Sequence, residues 1–164
     1  MFAAFLSIVL FSSVGWSAEG PPIDEELRGI WVTRWTYSSK ADVQRIMADV
    51  SDAGFNTVYF QVRGQHDAFY ESSLEPWAKE LTGTLGKNPG WDPLQIAVDS
   101  GHGLGLEVHA YVNAFTLWRG TAEPTNSSPA HAWQTDPDWL VADAEGGPMA
   151  LTEQYVYASP GNRA

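Results

Sequence analysis

Thr57–Arg63 reads TVYFQVR, a run of β-branched and aromatic residues that predicts a buried β-strand. Two similar runs flank it, Ile30–Trp35 (IWVTRW) and Leu106–Asn113 (LEVHAYVN). An amphipathic helix is predicted between each pair of strands. Ser39 has the position of an N-cap for the first helix, and Asp92, which is followed by proline, has that position for the second. The order of elements is therefore β-α-β-α-β.

Strands that are separated by helices run parallel, with right-handed crossovers. The predicted α/β fold is either the beginning of a (β/α)₈ barrel or a doubly wound sheet. Residues 35–39 contain no glycine, so the phosphate-binding turn of a dinucleotide or P-loop fold is not expected after the first strand. The loops after the second and third strands are long, and such loops carry the active sites of barrels.

The segments outside these strands and helices are predicted to be mostly loops. Gly64–Trp91 and 114–150 are the two long loops, and Pro137–Val141 is expected to form one helical turn within the second. Gln154–Ala158 is expected to form a short extended piece. Gly54 is expected to end the first helix in the left-handed conformation.

Polar side chains alternate with apolar ones in the second and third predicted strands. Gln61 and Arg63 share one face of the second strand, and His109 and Asn113 share one face of the third. Strands of a parallel sheet are usually apolar on both faces, so this pattern predicts a polar ligand site at the carboxyl ends of the strands. The alternatives are an internal ion pair of Arg63 and a buried structural role for His109.

Aromatic residues make up 13% of the chain and include eight tryptophans, a composition that suits stacking on sugar rings. Trp35 and Trp118 are the candidate stacking rings, and filling of the core is the alternative role for any one of them. Asp67 follows the second strand and is expected to hold Arg63 in place. We assign no catalytic residue from the sequence.

The composition excludes several classes of protein. The 164 residues allow one ordinary domain, and their net charge of −11 disfavours binding to nucleic acid. There is no cysteine, and the four histidines lack the spacing of a zinc motif. We therefore expect no metal and no other cofactor. A G-x-S-x-G elbow, typical of α/β-hydrolases, is also missing from the sequence.

Residues 1–18 are expected to be a signal peptide. The apolar stretch Phe2–Phe11 has the length of a signal sequence and is too short to span a membrane, which takes about 20 residues. Small residues follow it, so cleavage is expected between Gly15 and Ala18. This leader predicts an exported protein, periplasmic or extracellular, whose only relation to the membrane is the export signal.

Five segments occur in an order that resembles one known family: LRGIWVTRW (27–35), GFNTVYFQVRG (54–64), PGWDP (89–93), GLGLEVHAYVN (103–113) and SPGN (159–162). Together they are similar to the N-terminal part of the glycosyl-hydrolase-like family ten, over roughly residues 25–164. The resemblance implies a (β/α)₈ barrel and hydrolysis of a glycosidic bond in a cell-envelope polysaccharide, such as peptidoglycan glycan strands stripped of peptides.

In similar proteins the chain continues beyond the SPGN motif, and a fourth strand brings the acids thought to be catalytic. We therefore expect residues 25–164 to be about three βα units of a barrel that is incomplete at its C-terminus, since a whole barrel takes about 250 residues. On this view the chain supplies the substrate-binding half of a site and is inactive alone. Two alternatives stay open: a non-catalytic carbohydrate-binding module and a metal-dependent barrel hydrolase.

Overall fold

The computed structural model describes residues 26–161. Five strands and three α-helices follow one another in the order β1 (Gly29–Val32), α1 (Lys40–Asp52), β2 (Thr57–Arg63), α2 (Pro93–Gly103), β3 (Glu107–Val112), β4 (Thr116–Arg119), α3 (Ala132–Thr135) and β5 (Tyr155–Tyr157). Short 3₁₀ turns lie at Lys79–Leu81 and Pro137–Trp139. The predicted signal peptide lies outside the described residues, and so do residues 162–164. No helix within 26–161 has the length and apolar character needed to cross a bilayer.

The first three strands form one parallel sheet in the order β1-β2-β3. Trp31 pairs with Tyr59, and Tyr59 pairs with His109, so these residues lie side by side across the sheet. The register between β2 and β3 shifts between Gln61 and Arg63. The predicted β-α-β-α-β order is confirmed, and the described part of the chain is a mixed α/β structure with a parallel sheet.

Side-chain caps begin both long helices, as the sequence predicts. The Ser39 hydroxyl accepts a hydrogen bond from the backbone N–H of Asp42, which starts α1. The carboxylate of Asp92 accepts one from the N–H of Gln95 at 2.9 Å, which starts α2. After α1 the chain turns through Gly54, whose φ of +80° is the left-handed conformation that glycine adopts without strain.

The two long helices cover one face of the parallel sheet. Their apolar side chains form a core with those of the strands, comprising among others Val32, Val43, Met47, Val50, Val58, Phe60, Val62, Ala97 and Leu106. At Gly101, α2 lies so close to the sheet that a Cβ there would be 2.5 Å from Val108 Cγ2. The helices therefore lie on the face opposite to Trp31 and Tyr59, which stack on each other with ring centroids 4.4 Å apart.

The first predicted strand is too long. It extends to Trp35 in our prediction, whereas β1 ends at Val32 and the chain then turns. The backbone N–H of Arg34 donates to the side chain of Gln61 at 3.1 Å instead of joining the ladder of the sheet. The β-forming composition of residues 33–35 is thus overridden by a side-chain hydrogen bond from the neighbouring strand.

A second, two-stranded sheet has its first strand, β4, in the segment 114–150 that we predict to be a loop. Strand β4 pairs antiparallel with β5, which is the expected short extended piece within 154–158. Its core is formed by Leu117, Val156 and their neighbours. Strand β4 is only four residues long, and 35 residues separate it from its partner β5. Because its pattern of residues is so short, the sequence does not predict it as a strand. The helical turn predicted at 137–141 is present as the 3₁₀ turn at Pro137–Trp139.

Candidate functional site

Arg63, at the carboxyl end of β2, is the centre of a polar cluster. Its Nε donates to Glu75 Oε1 at 2.6 Å, and its Nη1 donates to the backbone oxygen of Asn113 at 2.9 Å. Its Nη2 lies 2.7 Å from Nδ1 of His66. The guanidinium is therefore held on three sides, by a loop carboxylate, by the end of β3 and by an imidazole.

The state of His66 follows from this contact. A guanidinium can only donate hydrogen bonds, so Nδ1 accepts and the remaining proton of the neutral ring is on Nε2. Burial, together with the charge of Arg63, lowers the pKa of His66 to about 4. Nε2 is buried without a hydrogen-bond partner among the described residues. His66 also has a φ of +55°, which is uncommon outside glycine and often marks a functional position.

Glu75, the partner of Arg63, is a half-buried acid. Burial raises its pKa, while the adjacent Arg63 acts in the opposite direction. The predicted contact between Asp67 and Arg63 is wrong. Asp67 Oδ1 accepts hydrogen bonds from the backbone N–H groups of Gly64 and Gln65, at 3.1 and 3.0 Å, because the chain turns tightly there. Glu75 reaches Arg63 from further along the same loop.

His131 is a second buried neutral imidazole beside this cluster. Its Nδ1 accepts from the N–H of Trp133 at 3.0 Å, so its Nε2 carries the proton and donates to the backbone oxygen of Gln65 at 2.8 Å. Burial lowers its pKa. Both ring nitrogens are satisfied within the fold, which makes His131 a support of the 64–67 turn.

Arg34, which we do not predict as a site residue, lies at the same end of the sheet and is 2% exposed. Its Nη2 donates to the hydroxyl of Tyr155 at 2.7 Å, and its Nε lies 3.4 Å from Glu80 Oε1 without hydrogen-bond geometry. Burial, and then the charge of Asp67, raises the pKa of Glu80. The sequence feature that could have identified Arg34 is that it is a single charged residue inside the apolar run IWVTRW (30–35).

The structure brings together four of the predicted site residues and separates one. Gln61, Arg63 and Asp67 lie at the end of β2, and Asn113 joins them by donating from Nδ2 to the backbone oxygen of Gly64 at 3.2 Å. His109 lies apart. It is three residues before the partner of Arg63 on β3, about 10 Å along the strand.

At that position His109 is a half-exposed residue of the sheet face. Its Nε2 lies 3.3 Å from Glu107, and its ring is 5.5 Å from that of Tyr59. The predicted alternation of polar side chains is thus present, but the register of the parallel strands sets His109 below the strand ends.

The two candidate stacking rings have different surroundings. Trp35 is 57% exposed, and the guanidinium carbon of Arg34 lies 4.3 Å from the centroid of its ring. Trp118 is only 5% exposed, and its Nε1 donates to the backbone oxygen of Ala122. Lys79 lies 4.5 Å from the Trp118 ring centroid. Trp35 is therefore the more accessible of the two rings.

Several cavities lie around these residues. One of about 240 Å³ is lined by His66, Phe115, Trp139 and Ser159 among others, and one of about 210 Å³ by Arg63, His66, Glu75 and Trp139 among others. A larger cavity of about 550 Å³ lies beside Trp118 and Arg119. Within residues 26–161, no three His, Asp or Glu side chains are grouped as a metal site would require.

The chain is similar to one protein family and to two curated proteins. The model of the family described as Glycosyl hydrolase-like 10 matches residues 26–161. The chain is 32% identical to "Glycosyl hydrolase YngK" of Bacillus subtilis, over 73% of this chain and 26% of that protein. It is also 32% identical to "Glycosyl hydrolase DigH" of Escherichia coli, over 71% of this chain and 33% of that protein. The matched region is thus about a quarter to a third of the length of these relatives.

Proposed function

The chain belongs to the glycosyl hydrolase-like 10 family, and from this premise we propose that it is the glycan-binding part of a glycoside hydrolase that acts on a cell-envelope polysaccharide, such as peptidoglycan glycan strands. The parallel sheet then corresponds to about three βα units of a (β/α)₈ barrel. The protein is exported by its N-terminal leader. The carbohydrate substrate follows from the family, and the polymer, the barrel and the compartment are our proposals.

One observation supports a binding role for this chain in particular. Buried polar groups gather at the carboxyl ends of β1, β2 and β3, where barrels place their active sites. Gln61, His66 and Arg34 belong to this group, and the partly buried Arg63 lies among them. Buried polar groups lower stability unless they are paired, and Nε2 of His66 has no partner among the described residues. A hydroxyl-rich ligand at this edge of the sheet would satisfy such groups.

Acids at this edge already have partners within the described fold. Glu75 accepts a hydrogen bond from Arg63, and Asp67 Oδ1 accepts from backbone N–H groups. Glu80 forms an ion pair with Arg34 at 3.4 Å, although neither of its carboxylate oxygens accepts a hydrogen bond from the described residues. Hydrolysis of a glycosidic bond generally uses two carboxyl groups, about 5–5.5 Å or about 6.5–9.5 Å apart. We propose that these two groups come from outside the chain, which then binds the glycan and does not cleave it alone.

Co-sedimentation with peptide-free glycan strands tests the binding role, and a reducing-end assay tests catalysis by the same sample. We expect saturable binding without release of reducing ends. Release of reducing ends by the chain itself would show that it holds its own catalytic acids. A wild-type chain that does not bind glycan strands would overturn the proposed function.

A chimera separates the enzyme from its two alternatives, the binding module and the metal-dependent hydrolase. Residues 26–161 replace the matching segment of DigH, and cooperative thermal unfolding is the control for folding. We expect the chimera to release reducing ends in the presence of a chelator. A folded chimera that binds glycan without cleaving it favours the binding module, and loss of cleavage on chelation favours the metal-dependent hydrolase.

A further inference from the structure

Arg34 connects the two sheets at the edge that carries the polar cluster. It follows β1, and its Nη2 donates to the hydroxyl of Tyr155 on β5 at 2.7 Å. Its guanidinium also lies against the backbone of Gly64, where an added Cβ would be 2.5 Å from Nη1. One side chain therefore links the ends of β1, β2 and β5.

Two aromatic rings lie near this guanidinium. Its carbon is 4.3 Å from the ring centroid of Trp35 and 6.0 Å from that of Tyr155. Both distances are within the range of cation–π contacts. Trp35 nevertheless remains 57% exposed, so Arg34 supports the indole while leaving much of it open to a ligand.

The hydrogen bond from Arg34 also orients the hydroxyl of Tyr155. Since a guanidinium only donates, the phenol oxygen accepts, and its own proton is free to be donated elsewhere. An exposed indole and an oriented O–H donor, both in contact with the same guanidinium, present the two features that a sugar ring uses: an apolar face for stacking and a hydroxyl for hydrogen bonding.

The burial of Arg34 is not well explained by a contribution to the stability of the fold. A buried arginine loses its hydration, and Nε of Arg34 meets Glu80 at 3.4 Å without forming a hydrogen bond. Buried ion pairs of this kind are often no more stabilising than apolar residues of similar size. A role in holding neighbouring groups accounts better for a guanidinium that is 2% exposed.

We propose that Trp35 and Tyr155 form a sugar-binding subsite, in which Trp35 stacks on a pyranose ring and the Tyr155 hydroxyl donates to a sugar oxygen, with Arg34 as the positioning residue of both. The inference rests on the proposed function, because it takes the ligand to be a glycan. Arg34 touches the two rings and not the sugar.

The first test compares two exposed tryptophans. Trp35→Ala and the control Trp31→Ala both remove an exposed indole, but Trp31 stacks on Tyr59 within the sheet. Dissociation constants are measured by co-sedimentation with peptide-free glycan strands. We expect Trp35→Ala to weaken binding about tenfold or more, and Trp31→Ala to leave it within about twofold. Tyr155→Phe, which keeps the ring, is expected to weaken binding about threefold or more, measured well below its melting temperature because the change also removes the acceptor of the buried Arg34.

The second test asks whether Arg34 acts through the two rings. Arg34→Lys keeps the positive charge and loses the planar fork. We expect it to weaken binding in the wild-type background, and to have no further effect in a Trp35→Ala/Tyr155→Phe background. A separate loss in that background would show that Arg34 does not act as a positioning residue. Thermal unfolding of each variant identifies changes due to misfolding.

The outcomes separate this inference from the proposed function. If the wild type binds glycan strands and Trp35→Ala binds equally well, the subsite is wrong and the proposed function stands. If Trp31→Ala and Trp35→Ala weaken binding to the same extent, the subsite is also wrong. If the wild type does not bind, the proposed function fails and the subsite fails with it.

Discussion

The guanidinium of Arg63 donates to Nδ1 of His66, and this contact fixes the imidazole as a neutral ring with its proton on Nε2. A protonated His66 would place a second positive charge against Arg63 and remove the acceptor. The pair therefore couples the charge of a loop histidine to the end of β2. Two measurements test this contact: the pH dependence of stability, and the effect on stability of replacing Glu75, the acid that holds Arg63.

The stability of the chain is expected to fall between pH 6.5 and 4. His66 has a pKa of about 4 in the folded protein, against an ordinary value of 6.5. Between these values the unfolded chain binds the proton and the folded chain does not, so the free energy of unfolding decreases as the pH decreases. Urea unfolding at several pH values measures this dependence, and NMR titration of the ring measures the pKa.

The comparison variants for this prediction are His66→Gln and His109→Gln. Replacing His66 should flatten the dependence between pH 6.5 and 4, and His109→Gln, at a half-exposed position on the sheet face, is the control for removing an imidazole. The buried His131, with its lowered pKa, acts in the same direction as His66, and Glu75, with its raised pKa, acts in the opposite direction. An unaltered slope in His66→Gln would contradict the assignment to His66.

Glu75→Gln is expected to destabilise the fold by about 1–3 kcal/mol, because it removes the charged acceptor of the partly buried Arg63 guanidinium. Chemical denaturation gives the difference in the free energy of unfolding. The control is Glu71→Gln, at an exposed position four residues earlier, which should change stability by less than about 0.5 kcal/mol. Equal values for the two variants would show that Glu75 contributes little to holding Arg63.

Gly64→Ala is expected to destabilise the fold by about 1–3 kcal/mol through overpacking. A Cβ at this position would lie 2.5 Å from Nη1 and 2.6 Å from Cζ of Arg34, both buried. Gly103→Ala is the matched control, since nothing lies within 4 Å of a Cβ built there. That variant should be neutral or stabilising by up to about 1 kcal/mol. Thermal unfolding compares them, and similar melting temperatures would count against close packing at Gly64.

Ser39→Ala is expected to destabilise α1 and the fold by about 1 kcal/mol. Its hydroxyl accepts from the first turn of the helix and also donates to the carboxylate of Asp42. The control is Ser51→Ala near the end of the same helix. It is also a serine-to-alanine change, but Ser51 is not the N-cap residue, so this variant should be neutral. Circular dichroism during thermal unfolding measures both, and the prediction fails if the two variants unfold together.

The chain by itself is expected to associate as its concentration rises. Trp31, Val112 and Phe115 are more than half exposed, on or beside a parallel sheet whose other face is covered by helices. The net charge of −11 opposes association, so added salt should promote it. Light scattering at increasing concentration measures the mass. The control is Leu74→Glu, at an exposed position in a loop, and Trp31→Glu should reduce association more than this control does. A chain that stays monomeric at all concentrations would refute the prediction.

Local patterns predicted the elements of the parallel sheet and little beyond them. The strand β2 was predicted with its observed bounds, and the capping residues Ser39 and Asp92 were identified correctly. These features depend on neighbours within four residues. The end of β1 was not predicted, since it depends on a hydrogen bond from Arg34 to Gln61 on another strand.

For the site, the sequence placed polar residues on the correct strands, and their partners were decided by the tertiary structure. The alternation of polar and apolar side chains in β2 and β3 identified Gln61, Arg63 and Asn113 as site residues, because successive side chains of a strand point to opposite faces. The partner of Arg63 was predicted to be Asp67 and is Glu75, twelve residues along the loop.

The sequence by itself determined the family, the order of strands and helices, and the caps that begin the two long helices, since these follow from short ordered motifs and from hydrogen bonds within one turn. The tertiary structure alone decided that Arg34 reaches Tyr155, which is 121 residues away along the chain. Contacts at such separation depend on how loops close around a core, and no local pattern of residues encodes that path.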